Sequence, residues 1–186
     1  SGLNFTIALK EDKTAWAWGQ NNQGQFGIAT PTSSKSPIEL AGNNIQNIGT
    51  GPYATYIEDV DGKVEAVGLN TTGELSIGNK TTVKVLTRVK DETGANDIGN
   101  IATLGRSMAT TYGFALADGS VGITGQGTSG QHGNGTLSAS NNITKIEEGK
   151  ISVEDIYEIE PNETAKIQIN RRENFNLNIE NTIKMP

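Results

Sequence analysis

The sequence predicts an all-β fold, and three observations carry that prediction. Isoleucine, valine and threonine together supply 48 of the 186 residues, against 12 for leucine plus methionine, and β-branched side chains fit a pleated sheet better than a helix. One segment recurs three times, each time with an aspartate turn before it and a glycine-rich loop after it. No stretch carries a helical 3.6-residue apolar stripe longer than two turns.

The glycine-rich loops set the register of the repeat. Gly19 opens GQNNQGQFGIA, Gly68 opens GLNTTGELSIG and Gly125 opens GQGTSGQHGNG. A second glycine follows five residues later (Gly24, Gly73, Gly130), then Gln25, Glu74 and Gln131, then Phe26, Leu75 and His132. Seven residues ahead of each leading glycine stands Asp12, Asp61 or Asp118, the last two followed by glycine, which marks a tight hairpin. Successive leading glycines are 49 and 57 residues apart, and the insert KDETGAND at 90–97 accounts for most of the difference.

Strands follow from this frame. After each aspartate turn, Ala15 and Ala17 align with Val64 and Ala66, then with Val121 and Ile123. Alternate residues share a face, so this face is expected to be buried in all three copies. The opposite face reads Trp16 and Trp18, Glu65 and Val67, Gly122 and Thr124. Segments 6–9, 55–60 and 112–116 supply the hairpin partners, and further strands are expected at 45–49, 83–89, 98–104 and 142–147. About four short strands per repeat is the period of propeller blades. The expected architecture is therefore three antiparallel propeller-type blades, a partial or open β-propeller, over 3–150. The repeats run at about 3–52, 53–106 and 107–150, and a short strand-rich C-terminal segment follows at 151–186.

The string DKTAWAWGQNNQGQFG, echoed at DGKVEAVGLNTTGEL and DGSVGITGQGTSGQHG, resembles the regulator of chromosome condensation repeat. That pattern is roughly Asp-Gly-x-Val-x-x-Trp-Gly-x-Asn-x-x-Gly-Gln-Leu-Gly, and the approach to its hairpin is echoed at 51–55 and 105–109. The pattern's Trp is Trp18 in the first copy, Val67 in the second and Thr124 in the third. Its Leu is Phe26, Leu75 and His132. The resemblance implies propeller blades, seven to a ring in that family, whereas three copies stand here. Two uncovered terminal faces are then expected. A fragment of a longer propeller is the favoured reading, ahead of self-association through exposed blade faces or capping by the tail. Residues 151–186, with alternating apolar positions around Pro161-Asn162-Glu163, resemble the opening strands of a bacterial immunoglobulin-like domain.

Composition excludes several chemistries. The chain has no cysteine and one histidine, His132, so thiol nucleophiles, zinc–thiolate sites and paired-histidine metal motifs are excluded. A net charge of −6 disfavours a nucleic-acid partner. No run approaches the 18 or so apolar residues of a membrane span. The Gly125–Gly130 segment matches a dinucleotide fingerprint by letter, but the loop formers after it leave no helix N-terminus for a pyrophosphate, and the repeat explains its glycines. Glu58-Asp59-Val60-Asp61-Gly62 resembles the start of a calcium loop but has Asn70 where the twelfth-position glutamate belongs. The pairs Asp59/Asp61 and Glu158/Glu160 are read as solvated faces. His132 occupies the repeat's Leu position with no nucleophile partner in view. Six Asn-x-Ser/Thr sequons begin at Asn4, Asn70, Asn79, Asn134, Asn142 and Asn162.

These readings lead to a non-enzymatic interaction or adhesion module with no cofactor and no metal. It is expected on a secreted or cell-surface bacterial protein and is expected to bind a protein or glycan through blade loops. The candidate contact residues are Trp16, Asn21, Asn22, Gln23, Asn70, Thr71, Thr72, Thr128 and Ser129, with the 33–37 connection beside them. Packing between blades is the favoured reading of both tryptophans, Trp18 above all, and Trp16 as an aromatic anchor for a partner is the alternative. The resemblance adds two alternatives: a secreted propeller-type enzyme inhibitor, since a propeller of this repeat type inhibits β-lactamases, and a guanine-nucleotide exchange factor-like regulator.

Overall fold

A computed structural model describes residues 1–146 apart from positions 43 and 100. The expectations for residues 151–186, including the immunoglobulin-like strands and Glu158/Glu160, lie outside the described residues. Eleven strands run in order through the described residues: β1 Phe5–Leu9, β2 Ala15–Gln20, β3 Ser33–Glu39, β4 Ile45–Thr50, β5 Ala54–Asp59, β6 Val64–Gly68, β7 Val83–Arg88, β8 Ile101–Leu104, β9 Thr111–Leu116, β10 Val121–Gly125 and β11 Ser140–Ile146. They form three antiparallel sheets, β1-β2-β3, β4-β5-β6-β7 and β8-β9-β10-β11. Among the described residues there is no helix, and the sheets make an open arc. Each four-stranded sheet takes its first strand, β4 or β8, from the segment just ahead of its hairpin. The sheets therefore begin one strand earlier than the sequence repeats.

The hairpins form where the aspartate turns place them. Asp59 Oδ1 accepts the backbone N–H of Asp61 at 3.0 Å and of Lys63 at 2.9 Å. Asp118 Oδ1 does the same for Ser120 at 2.9 Å. Short side chains that bond their own backbone two residues on close such turns. This also gives Asp59 its role as the cap of a turn. Strand β3 corrects the reading of 33–37 as a connection. Ser33-Ser34-Lys35-Ser36-Pro37 carries no apolar alternation, yet it pairs with β2 at the sheet edge across a bulge between Ala17 and Gly19. An edge strand with a bulge is where a proline lacking N–H is tolerated.

Two apolar cores lie between successive sheets. Phe5, Ile7, Ala15 and Ala17 of the first sheet pack with Ile45 and Ile57 of the second. Tyr56, Val64 and Ala66 of the second pack with Tyr112, Phe114 and Leu116 of the third. The rings of Tyr56 and Tyr112 stack at 3.6 Å with 17° between planes, and Phe114 meets both edge-on. Their hydroxyls are satisfied, Tyr56 donating to the Glu74 carbonyl and Tyr112 to the Gly105 carbonyl, each at 2.8 Å.

The middle sheet is thus covered on both faces, and the outer two on one each. This corrects the expectation of one face buried in every copy. Ala15, Ala17, Val64 and Ala66 are buried, but Val121 is 42% exposed and Ile123 only half-buried. Those two lie on the face of the third sheet turned away from the second. Trp18 is corrected for the same reason. It and Trp16 are half-buried, because they alternate with Ala15 and Ala17 and so point away from the second sheet. Their counterparts Val67 and Thr124 are fully buried against a preceding blade.

Candidate interaction surface

Strand direction divides the loops into two rims. The loops after β2, β6 and β10 (21–32, 69–82, 126–139) emerge at one end, the Asn-loop rim. The aspartate turns and the insert after β7 emerge at the other, the Asp-turn rim.

On the Asn-loop rim the residues expected to meet a partner do two different things. Asn21 and Asn70 are buried and act as staples. The Asn70 amide donates to the carbonyls of Asn79 at 2.9 Å and Thr81 at 3.2 Å, and its oxygen accepts the Leu75 N–H at 2.9 Å. Asn21 repeats this with the carbonyls of Ile28 and Pro31 and the N–H of Phe26. Every polar atom of these side chains is engaged inside its own loop, so neither belongs to a contact surface, and Asn70 cannot accept a glycan. Thr72 is half-buried, its hydroxyl held on Glu74 and the Thr110 carbonyl. Gln23 is half-buried with its N–H on Gln25 Oε1. Asn22, Thr71, Thr128 and Ser129 are exposed at the loop tips. Trp16 is half-buried on the outer face of the first sheet, its indole N–H donating to Thr14 Oγ1 at 3.0 Å with Lys10 Nζ 5.5 Å from the ring.

These loops are tightly built because each seats on the next blade. Gly73 has φ +89°, and a Cβ there would lie 2.6 Å from the Asn141 backbone; Gly24 has φ +78° and presses likewise on Lys84. Thr124 Oγ1 donates to the Gly73 carbonyl at 2.9 Å across the same junction. The third loop departs from the pattern. The staple asparagine is replaced by Gly127, and a Cβ there would lie 2.9 Å from Nδ1 of His132. The imidazole has therefore moved into the space of the missing asparagine. It is fully buried, and neither ring nitrogen has a hydrogen-bond partner.

The Asp-turn rim holds its polar groups differently. Insert 90–97 closes on itself through a Lys90–Asp97 bridge, Nζ to Oδ1 2.6 Å. Within it, the Asp91 carboxylate accepts from the side chain of Thr93 at 2.6 Å and that of Asn96 at 3.0 Å, and these bonds bring its pKa down to about 2. Asp118, bonded by Ser120 and facing Lys145, is likewise held below the usual carboxylate value. Lys145 Nζ lies 3.6 Å from both Glu92 Oε1 and Asp118 Oδ2. Between the insert and the β9–β10 turn opens a cavity of about 380 Å3 with Asp91, Glu92, Asp97 and Asp118 on its walls and Ile98, Leu116 and Ile143 at its base. A neighbouring pocket of about 420 Å3 runs along the seam between the second and third sheets and shares Ala117 with it. Glu58 lines this second pocket and is only 4% exposed. Burial pushes its pKa up, against the opposing hydrogen bonds of Asn47 and Gln46.

The rim thus combines concave volume with carboxylates, of which Asp91 and Asp118 are held in the charged state by their own turns. Such a surface attracts and orders cationic groups. Among the described residues, no three or more His, Asp or Glu side chains are gathered to hold a metal ion. No helix is long and apolar enough to cross a membrane. Sequence reasoning placed the contact surface on the Asn-loop rim and treated the insert as a difference in length. The available signal was register: Glu58 stands where the other repeats have Leu9 and Ala115.

Comparison with known proteins agrees with this architecture. Residues 1–25 match the family described as Regulator of chromosome condensation (RCC1) repeat. The chain is similar in structure to human WBSCR16, with a TM-score of 0.65 and 19% identity over 79% of this chain and 36% of that one. Yeast RCC1 (Prp20), solved bound to Kap60, gives 0.65 and 20% over 79% and 36%. Prp20p from Saccharomyces cerevisiae, in a study naming its binding to Gsp1p and histones, gives 0.66 and 20% over 79% and 37%. The chain therefore spans little more than a third of the length of these neighbours. The family match falls on the first repeat, and the blades have the propeller fold of these neighbours.

Proposed function

We propose that this chain is a non-enzymatic protein-interaction module that engages a basic partner through its Asp-turn rim. One observation carries the reading: two adjoining pockets open on that rim, among carboxylates that local turns and the Lys90 and Lys145 pairs hold in place. Support comes from a fold that serves protein binding in its neighbours. One of these, Prp20p, is named with histones, which are basic proteins. A protein fits the rim better than a glycan does, because half-exposed carboxylates beside apolar walls select cations rather than sugar hydroxyls. The acidic, Asn- and Thr-rich composition supports a place outside the cell, on a secreted or surface-held protein.

The test is binding of the full chain to basic and acidic proteins of matched size, at low and at high salt. The expected result is retention of the basic proteins only, weakening with salt, and strong loss in a Glu92→Lys, Asp97→Asn double variant. Equal retention by that variant, or preference for acidic proteins, overturns the assignment. An exchange assay with a small GTPase separates plain binding from regulator-like activity, and accelerated nucleotide release would replace this reading.

A further inference from the structure

Glu58 is out of place in its own repeat. It occupies the repeat position that Leu9 fills in the first copy and Ala115 in the third, on the face turned toward the following blade. It lies on the face of β5 that carries Tyr56 and is buried against the third sheet. A bulge on β4 between Ile45 and Asn47 inserts Gln46 opposite it. Its side-chain hydrogen bonds come from Asn47, whose Nδ2 lies a long 3.5 Å from Oε2, and from Gln46. Among the described residues no cation pairs with it. Lys63, the nearest in sequence, lies 4.0 Å from Asp61 Oδ2 instead. A buried carboxylate with no counter-ion is among the more costly arrangements a fold can keep.

The space in front of it has a definite shape and chemistry. Glu58 is the buried end of the seam pocket; Val60, Ile101 and Ala117 form its apolar walls, and Asp61 stands exposed beside them. The third sheet contributes only Ile101 and Ala117, neither of them charged, so the carboxylates facing the pocket come from β5 and its turn. Apolar walls leading to a carboxylate match a long aliphatic stem that ends in a positive charge. We infer that the seam pocket receives a lysine or arginine side chain of a protein partner, with Glu58 as its buried counter-ion and Asp61 holding the head at the mouth. This deepens the basic-partner reading by naming the anchor point, and it rests on that reading.

The inference has a proton signature. Burial, with a smaller push from the Asp59 charge, raises the Glu58 pKa, and a bound cation lowers it again, so occupancy releases a proton where the free group is still protonated. Binding therefore strengthens as pH rises through the raised value, where the free Glu58 ionises.

The test is an NMR titration of the full chain with blocked tripeptides, Gly-Arg-Gly and Gly-Lys-Gly, against Gly-Leu-Gly, at several pH values. Amide shifts centred on Gln46, Glu58, Asp61 and Ile101, seen with the cationic peptides alone, are the expected result. Glu58→Gln, nearly isosteric, should bind at least about tenfold more weakly and lose the pH dependence. Glu58→Leu restores the residue type of the first repeat and serves as a second folded variant with the same loss. Shifts spread evenly over Asp12, Asp91 and Asp118, or unchanged binding by both variants, overturn the pocket. If Glu92→Lys with Asp97→Asn abolishes protein binding while Glu58→Gln leaves it intact, the rim stands and the pocket falls. Indifference of protein binding to both sets removes both readings.

Discussion

The two rims of this molecule are both polar, but their polar groups meet different fates. On the Asn-loop rim the amides of Asn21 and Asn70 each make three bonds inside their own loops, and the loops seat on the following blade. On the Asp-turn rim the bonds within turns fix carboxylates without covering them, and two pockets stay open between the turns. A high density of polar residues is therefore a poor sign of a binding surface. What distinguishes the rims is whether hydrogen bonds bury the polar atom or only orient it.

The strongest way to break this comparison is to remove a staple. Asn70→Ala removes the partner of the Asn79 and Thr81 carbonyls and orphans the buried Leu75 N–H, and we expect a loss of about 1–3 kcal/mol in urea unfolding. Asn22→Ala and Thr71→Ala, at exposed tips of the same rim, should stay within about 0.5 kcal/mol. Similar losses at all three positions would erase the distinction within the Asn-loop rim.

A second substitution acts on the other rim and should stabilise. Glu58→Leu is expected to gain about 1 kcal/mol at neutral pH by replacing a buried carboxylate that has no cation beside it among the described residues with an apolar side chain. The folded-state pKa of Glu58 is raised, so the charged form is the disfavoured one. Below the ordinary glutamate value both states are protonated and wild type and variant lie closest. As pH climbs through the raised value, wild type loses stability that the variant keeps. Denaturation of both proteins from about pH 4 to about pH 8 measures this, and a gap that narrows toward neutrality contradicts it.

His132→Leu sharpens the comparison within the Asn-loop rim. It restores the residue type of the second repeat and removes two unsatisfied buried nitrogens, so a gain of up to about 1 kcal/mol is expected in thermal melts. Destabilisation would mean that the imidazole filling the Gly127 space matters more than its unmet bonds. The smallest effect is expected at the first aspartate turn. Asp12, bonded by Lys10 and Thr14, has its pKa brought down to about 2. A depressed carboxylate supports the fold above its ordinary value and ceases to as pH falls through the lowered one. Asp12→Asn should therefore melt slightly below wild type at neutral pH, with the difference fading in acid and in molar salt.

Much of the fold is legible in the chain itself. Asp12, Asp61 and Asp118 locate three hairpins, and alternation after them gives the pleat of β2, β6 and β10. Further strands expected from 45, 83 and 142 appear as β4, β7 and β11. Strand β3 is missed because Ser33–Glu39 is held by its neighbour's backbone, and a bulged polar edge strand has no apolar period to read. Asn21 and Asn70 are misread as contact residues for a related reason. An asparagine in a glycine-rich loop has the same letter whether it stands in water or staples the loop from inside. Glu58 likewise looks like part of an acidic turn until the third sheet covers it.

What the sequence determined is whatever depends on neighbours along the chain: turn positions, strand pleat, the threefold repeat and the absence of thiol chemistry. Those properties follow from local torsions and from side chains bonding their own backbone, so adjacent residues suffice to specify them. Burial was decided only by the tertiary structure. The pairs Ala15/Ala17, Val64/Ala66 and Val121/Ile123 hold the same place in the repeat, yet the first two are enclosed and the third is not. Removing surface from water takes two surfaces, and the second one comes from a different blade.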